Sequence, residues 1–204
     1  MWESRGKNLL KAHLDALYTR SGIYLERINE PWGALAMAPK LHICTGIQGD
    51  ILIGRSAIFS PGEPLKMKEQ ECCYLVPPLP FPSHTQVCRI LPGSAEAKKI
   101  PAVWNWLQEE LIAAQPCVGV FEEDICVSIC RSVRIGREAQ EAGVETLGSF
   151  RGRGYAELVV TGWANLVREQ GNIPLYSHSR ENMASLRVAQ KTQMLYYAED
   201  YILD

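Results

Sequence analysis

The second half of the chain alternates between strand and helix periodicity, and this restricts its fold more than any other feature. The runs CVGVFE at 117–122 and DICVSICRSV at 124–133 read as strands and meet at Glu122-Glu123-Asp124, a turn signal. A further strand is expected at 142–147. A long helix follows from about Gly152 to Gln170, burying Leu158, Val159, Gly162, Trp163, Leu166 and Val167 along one face and stopping at Gly171. Strand period returns at 173–177, a second helix spans about 181–191, and the tail MLYYAEDYIL reads as a strand. Elements in this order imply an α/β chain whose mixed (α+β) sheet carries packed helices.

The first half is less regular. Leu9, Leu10, His13, Leu14 and Leu17 recur at helical spacing, with Gly22 beyond the end. LHICTG and ILIGRSAIF read as a hairpin turning at Gln48-Gly49-Asp50. The prolines of PPLPFPS rule out a regular element there and imply a linker or ordered surface loop. A helix is expected over 102–114, closed by Pro116.

Bulk properties exclude several classes of function. With 204 residues there is room for one core, or for one core and a smaller lobe. A net charge of -2 leaves no basic footprint for nucleic acid. Arg131, Arg134 and Arg137 read as a solvated turn or a small-anion site. No stretch reaches the roughly 18 apolar residues of a membrane span, and residues 1–11 lack the apolar core of a signal peptide. The seven cysteines form no CxxC pair, so no metal site is expected. Cys126 and Cys130 fall in a strand-like run, which implies packed thiols and a reducing cytoplasm.

The segment from Glu141 to Ala156 carries the chemistry. A strand enters a turn with glycines at 148, 152 and 154, and a long helix begins there. Gly152 and Gly154 let the backbone approach a ligand without a Cβ in the way. Free N–H groups at the helix start would face an anion, and Arg151 and Arg153 add charge that can grip phosphate. There is no Gly-Lys-Ser/Thr and no GxGxxG, so neither the P-loop nor the dinucleotide fingerprint applies.

What does fit is Arg-x-x-Gly-x-Ala at Arg151, Gly154 and Ala156. It resembles the pyrophosphate signature of the GNAT (GCN5-related N-acetyltransferase) superfamily. Downstream, PLYSHSRENMASLRVAQK is similar to that family's next strand and helix, with Asn182, Ser185 and Lys191 on the pattern and Ser179 as a candidate N-cap. The resemblance covers about residues 98–204. It implies a GNAT core over 96–204 and a family-specific N-terminal lobe or extension over 1–95.

The resemblance further implies acetyl-CoA as acyl donor. Val144, Thr146, Leu147, Arg151, Gly152, Arg153, Gly154, Tyr155, Ala156, Asn182 and Ser185 would contact it, with backbone donors near Val144, Glu145 and Thr146 holding the thioester oxyanion. An acceptor amine would attack directly and give its proton to a carboxylate. Glu145 is the first candidate for this base and Glu141 the second, on one strand face because they lie four residues apart. The tyrosine that commonly protonates the departing thiolate is Ala189 here, and the family's Gly-Phe is Gln193-Met194. Tyr176 is therefore the candidate acid, with Ser177, His178 and Ser185 nearby. The expected activity is N-acetylation of an amine on a small molecule, peptide or protein. The alternatives are a non-catalytic acyl-CoA-binding module, which Ala189 favours, and an interaction protein using the Pro-rich loop.

Overall fold

The computed structural model describes residues 6–32, 36–80 and 87–204. Helix α1 spans Gly6–Leu17; strands β1 (Tyr18–Ser21), β2 (Tyr24–Ile28), β3 (Leu41–Gly46), β4 (Ile51–Ser56), β5 (Met67–Leu75) and β6 (Val87–Arg89) follow. Then come α2 (Trp106–Glu110), β7 (Cys117–Glu122), β8 (Ile125–Ile135), β9 (Ala139–Thr146), α3 (Tyr155–Glu169), β10 (Ile173–Ser179), α4 (Met183–Lys191) and β11 (Leu195–Leu203). Within the described residues the strands form one mixed sheet, ordered β1-β2-β4-β3-β11-β5-β10-β9-β8-β7-β6. The last part of the Pro-rich stretch, at 81–83, lies outside the described residues.

Two turns show why the chain folds back where it does. Glu123 and Asp124 both take positive φ, 46° and 71°, the conformation that matches a tight hairpin to strand twist. Gly49 does the same between β3 and β4 at 85°. The helix expected over 102–114 is shorter: a 3-10 turn at Ala102–Trp104 and then the five residues of α2. Ala113 N–H bonds back three residues to Glu110, and Gln115 Nε2 donates to the Leu111 carbonyl. Pro116 sets the limit beyond which the helix cannot continue, because the residue before a proline is disfavoured in helical conformation.

Adjacent residues on one strand face opposite layers. Tyr176 joins the core beneath α3 and α4, where Trp163, Val159, Val160 and Val167 pack on Val118, Val127, Cys130 and Ala189. Leu175 faces the other way, toward Leu10, Ala12 and Ala16 of α1. On that second face Trp104, Leu107 and Leu111 cover Cys117, Cys126 and Ile129. Trp163 is fully buried and its Nε1 donates to Ser132 Oγ at 3.0 Å. Truncating such a tryptophan to alanine costs about 3–5 kcal/mol.

The sheet is continuous across residue 95. β5 lies between β10 and β11, antiparallel to both, so that Leu75 stands opposite Leu175 on one side and Leu195 on the other. All seven cysteines are free, and Cys126 and Cys130 are fully buried. Burial pushes the Cys126 thiol up to about 12 and Cys130 well above its ordinary value. Among the described residues no helix is long and apolar enough to cross a membrane.

Candidate functional site

β9 and β10 run parallel but pair over only three positions, Ala139↔Ile173, Gln140↔Pro174 and Glu141↔Leu175. Beyond them β9 stays with β8 and β10 stays with β5, so the strands part into a wedge. Leu147 N–H donates to the Val127 carbonyl at 3.0 Å. Because antiparallel ladder bonds alternate, Gly143 and Glu145 turn their backbone groups to β8. Those of Val144 and Thr146 then face the wedge. The Thr146 carbonyl is accordingly free to accept from Arg151 Nε at 3.2 Å.

The wedge opens toward the glycine turn. Gly152 has φ 77° and Gly154 has φ 88°, and Gly154 is the N-cap of α3 with no side chain to satisfy the first N–H groups. A Cβ at Gly152 would meet nothing within 4 Å, so the left-handed backbone is what demands glycine there. The first-turn donors of α3 thus point out of the protein, as an anion site requires. Arg151 and Arg153 are exposed beside them, and Arg153 lies over the Phe150 ring at 4.9 Å. Tyr155 is turned away, its hydroxyl donating to Glu122 at 2.5 Å. The acidic Glu157 of the first turn is neutralised by Lys191 Nζ at 2.8 Å.

Helix α4 starts at Asn182, whose Oδ1 accepts from Ser185 N–H at 3.1 Å. Asn182 therefore caps the helix, and Ser179, expected in that role, ends β10 instead; its carbonyl accepts from Asn182 N–H at 2.9 Å. Tyr176 is 3% exposed and shares its cluster with Ala189. Burial pushes its hydroxyl up to about 12, against a hydrogen bond with Ser185 that lowers it. His178 is buried and stacks on Tyr74 at 5.3 Å.

The other face of the wedge is acidic. Glu145 is exposed at the outer end of β9. Glu141 is 6% exposed and accepts from Ser177 Oγ at 2.6 Å. Ser177 Oγ also lies 3.4 Å from Glu71 of β5, a residue that no sequence motif singles out. Burial, then the charges of Glu141, Glu69 and Asp200, push the Glu71 carboxyl above its usual range, while His13 pulls it down. Glu69, Glu71, Glu141 and Ser177 line a cavity of about 270 Å³ bordered by Tyr18, Arg134 and Ala142. A larger cavity, about 470 Å³, sits by Arg168 and Asn172 at the far end of α3, remote from the glycine turn.

Behind the acidic cavity runs a line of buried side chains. Tyr197 Oη meets His13 Nδ1 at 2.8 Å, and His13 Nε2 meets Asp200 Oδ2 at 2.6 Å. Asp200 Oδ1 faces His42 Nε2 at 3.2 Å, and His42 Nδ1 meets Tyr18 Oη at 2.9 Å. Asp200 and His42 are 0% exposed and His13 is 1%. Burial alone would lower His13, but Asp200 outweighs it and raises the imidazole to about 9. Burial likewise opposes ionisation of Asp200, yet the two histidines hold it well below the usual range.

The fold as a whole is shared with solved structures. A protein of the GNAT family from Novosphingobium aromaticivorans superposes with a TM-score of 0.57 at 14% identity, over 97% of this chain and 95% of that one. The chain has the GNAT fold. A GCN5-related N-acetyltransferase from Kribbella flavida matches the fold at TM-score 0.51 and 18% identity, over 68% of this chain and 59% of its own. A GNAT-family acetyltransferase from Colwellia psychrerythraea gives 0.51 at 14%, over 70% and 58%. No family model matches the sequence, and neither does any curated protein.

Proposed function

We propose that the chain is an acyltransferase that takes an acetyl group from acetyl-CoA and transfers it to an amine. The observation that carries this reading is the wedge between β9 and β10, open to backbone donors along one wall and ending on the Gly152–Gly154 turn. The residues present fit such a donor. The space in front of Gly148 and Gly152 is clear, the first turn of α3 has no side-chain cap, and two exposed arginines flank it.

Arg151, Gly152, Arg153, Gly154 and Ala156 would hold the pyrophosphate, with Tyr155 anchoring the turn through Glu122. The wedge-facing N–H groups of Val144 and Thr146, next to Leu147, would hold the arm and orient the thioester carbonyl. Asn182 and Ser185 fix the start of α4 beside the wedge. When bound, acetyl-CoA supplies an acetyl group on a good leaving group. Tyr176 stands on the same face as α4, where the family's tyrosine is replaced by Ala189, and it is the group on hand to return a proton to that side. The seven free, mostly buried thiols suit a reducing compartment, and we place the protein in the cytoplasm.

The test is direct. Acetyl-CoA should raise the melting temperature by mass action, and Gly154→Asp, which sets a negative charge at the start of α3, should remove the shift while the protein stays folded. An unchanged shift in that variant would relocate the phosphate site. Ala189 favours a second reading, an acyl-CoA-binding module without turnover. CoA release that depends on added amine separates the two.

A further inference from the structure

The reading above leaves open where the amine enters and what takes its proton. The cavity behind the wedge answers both by its position. Glu141 is the last residue of β9 paired to β10, and Ser177 lies two residues past Leu175, the last paired residue of β10. The chamber is thus bounded by both strands at the point where they separate. Ala142, whose side chain belongs to the opposite core, also borders it, so the chamber reaches the gap itself. An acceptor there would meet an acyl donor held in the wedge across the opening.

We propose that this chamber is the acceptor site for a small primary ammonium group, and that Glu71 of β5 is the catalytic base that takes its proton. The inference rests on the acetyltransferase reading. The Ser177 hydroxyl has one proton and sits between two carboxylates, donating to Glu141 at 2.6 Å and lying 3.4 Å from Glu71. Glu71 is therefore the carboxylate left to a ligand. Burial holds it near the neutral range, where a base exchanges protons with an amine. Glu145 is exposed at the rim and does not line the chamber. The volume of about 270 Å³ falls below the roughly 300–1,000 Å³ of drug-sized ligands, so the chamber admits an amine head and not a bulky acceptor.

In the step, R–NH3+ gives one proton to the Glu71 carboxylate. The neutral nitrogen forms the C–N bond to the acetyl carbon, the C–S bond breaks, and the sulfur leaves as thiolate. The second nitrogen proton is lost and the thiolate takes one up. The sum is R–NH3+ plus acetyl thioester giving amide, thiol and one proton. The charges acting on Glu71 are those of Glu141 of β9, Glu69 of β5, Asp200 of β11 and His13 of α1, and the other titratable groups lining the chamber are Lys68 of β5, Arg134 of β8 and Tyr18 of β1.

The experiment compares parent, Glu71→Gln, Glu71→Asp and Ser177→Ala. Calorimetry with short primary alkylamines, without acetyl-CoA, reads the chamber alone; thermal shift with acetyl-CoA reads the other side; CoA release against pH reads the chemistry. Glu71→Gln should bind acetyl-CoA like the parent and bind the amines at least tenfold more weakly. Its kcat/KM should fall about 10²–10⁴-fold and lose the acid limb of the pH profile. Glu71→Asp should restore that limb. Ser177→Ala, which frees Glu141 as well, should shift the limb without abolishing turnover. If acetyl-CoA fails to stabilise the parent, the acetyltransferase reading itself falls. If acetyl-CoA binds but no alkylamine binds or releases CoA, or if Glu71→Gln keeps the parental rate and pH profile, the acceptor assignment alone is overturned.

Discussion

The two sides of the wedge are built from different materials. The front, from Val144 to Ala156, is contiguous in sequence and made of backbone: positive-φ glycines, uncapped helix donors and a strand with one free edge. The back is made of side chains drawn from α1, β1, β3, β5, β8, β9, β10 and β11, most of them buried. A backbone site tolerates changes wherever φ and space allow, whereas a buried polar network fails when one member is lost. The difference governs how each side should respond to substitution.

The largest effect is expected at Asp200. Asp200→Ala leaves His13 and His42 with their tyrosine partners but without the buried carboxylate, and the loss of a buried ionic partner costs about 3–5 kcal/mol. Urea unfolding checks this; a loss below about 1 kcal/mol would mean the chain carries no weight and the contrast between the two sides is weaker than described. The next effect is on pH. His13 is raised from 6.5 to about 9, so the protonated form belongs to the folded state. Its contribution is fully present below about pH 6.5 and is lost as pH rises through about 9, on the order of 3 kcal/mol in all. Asp200 acts in the opposite sense, because its depressed value gives stability that disappears on acidification. The unfolding free energy should therefore peak between these limits and fall toward pH 9–10, and His13→Gln should flatten the alkaline fall.

A smaller effect is expected at the front. Gly154→Ala forces a Cβ onto φ 88°, which costs roughly 1–3 kcal/mol, with only Glu157 Oε2 at 3.7 Å nearby. Its acetyl-CoA affinity should drop less than that of Gly154→Asp, since strain can relax and charge cannot. Equal losses in the two would show that side-chain volume governs the front as it does the back. The smallest effect is expected at Glu145. Glu145→Gln, at an exposed rim position, should change turnover no more than a few-fold and stability by less than about 0.5 kcal/mol. A loss matching that of Glu71→Gln would move the base to β9.

This contrast also explains what the sequence disclosed. The front was legible because Gly152 and Gly154 answer a backbone requirement at fixed spacing next to a long amphipathic helix, so composition and conformation coincide. Strand positions in the second half followed from the same local logic. Glu71 and Asp200 could not be found that way. Each sits in a short alternating run, KEQECC or YAEDYI, and what matters is a partner more than 50 residues away. The expected long helix at 102–114 forms only as a 3-10 turn and the short α2, although Trp104, Leu107 and Leu111 keep the helical spacing and pack on one face.

The placement of β5 between β10 and β11 bears on how the chain is made. β5 leaves the ribosome before both of its neighbours, β10 and β11, and the farther end of β11 is Leu203. At roughly 5–20 residues per second, the 128 residues between Leu75 and Leu203 take roughly 6–26 s to appear. Through that interval β5 presents two open edges. Lys68, Glu69 and Glu71 sit along the first half of the strand, and charges there oppose edge-to-edge association with other nascent chains. Replacing them together by threonine should leave the mature sheet able to form and lower the soluble yield, with the loss growing as translation is slowed.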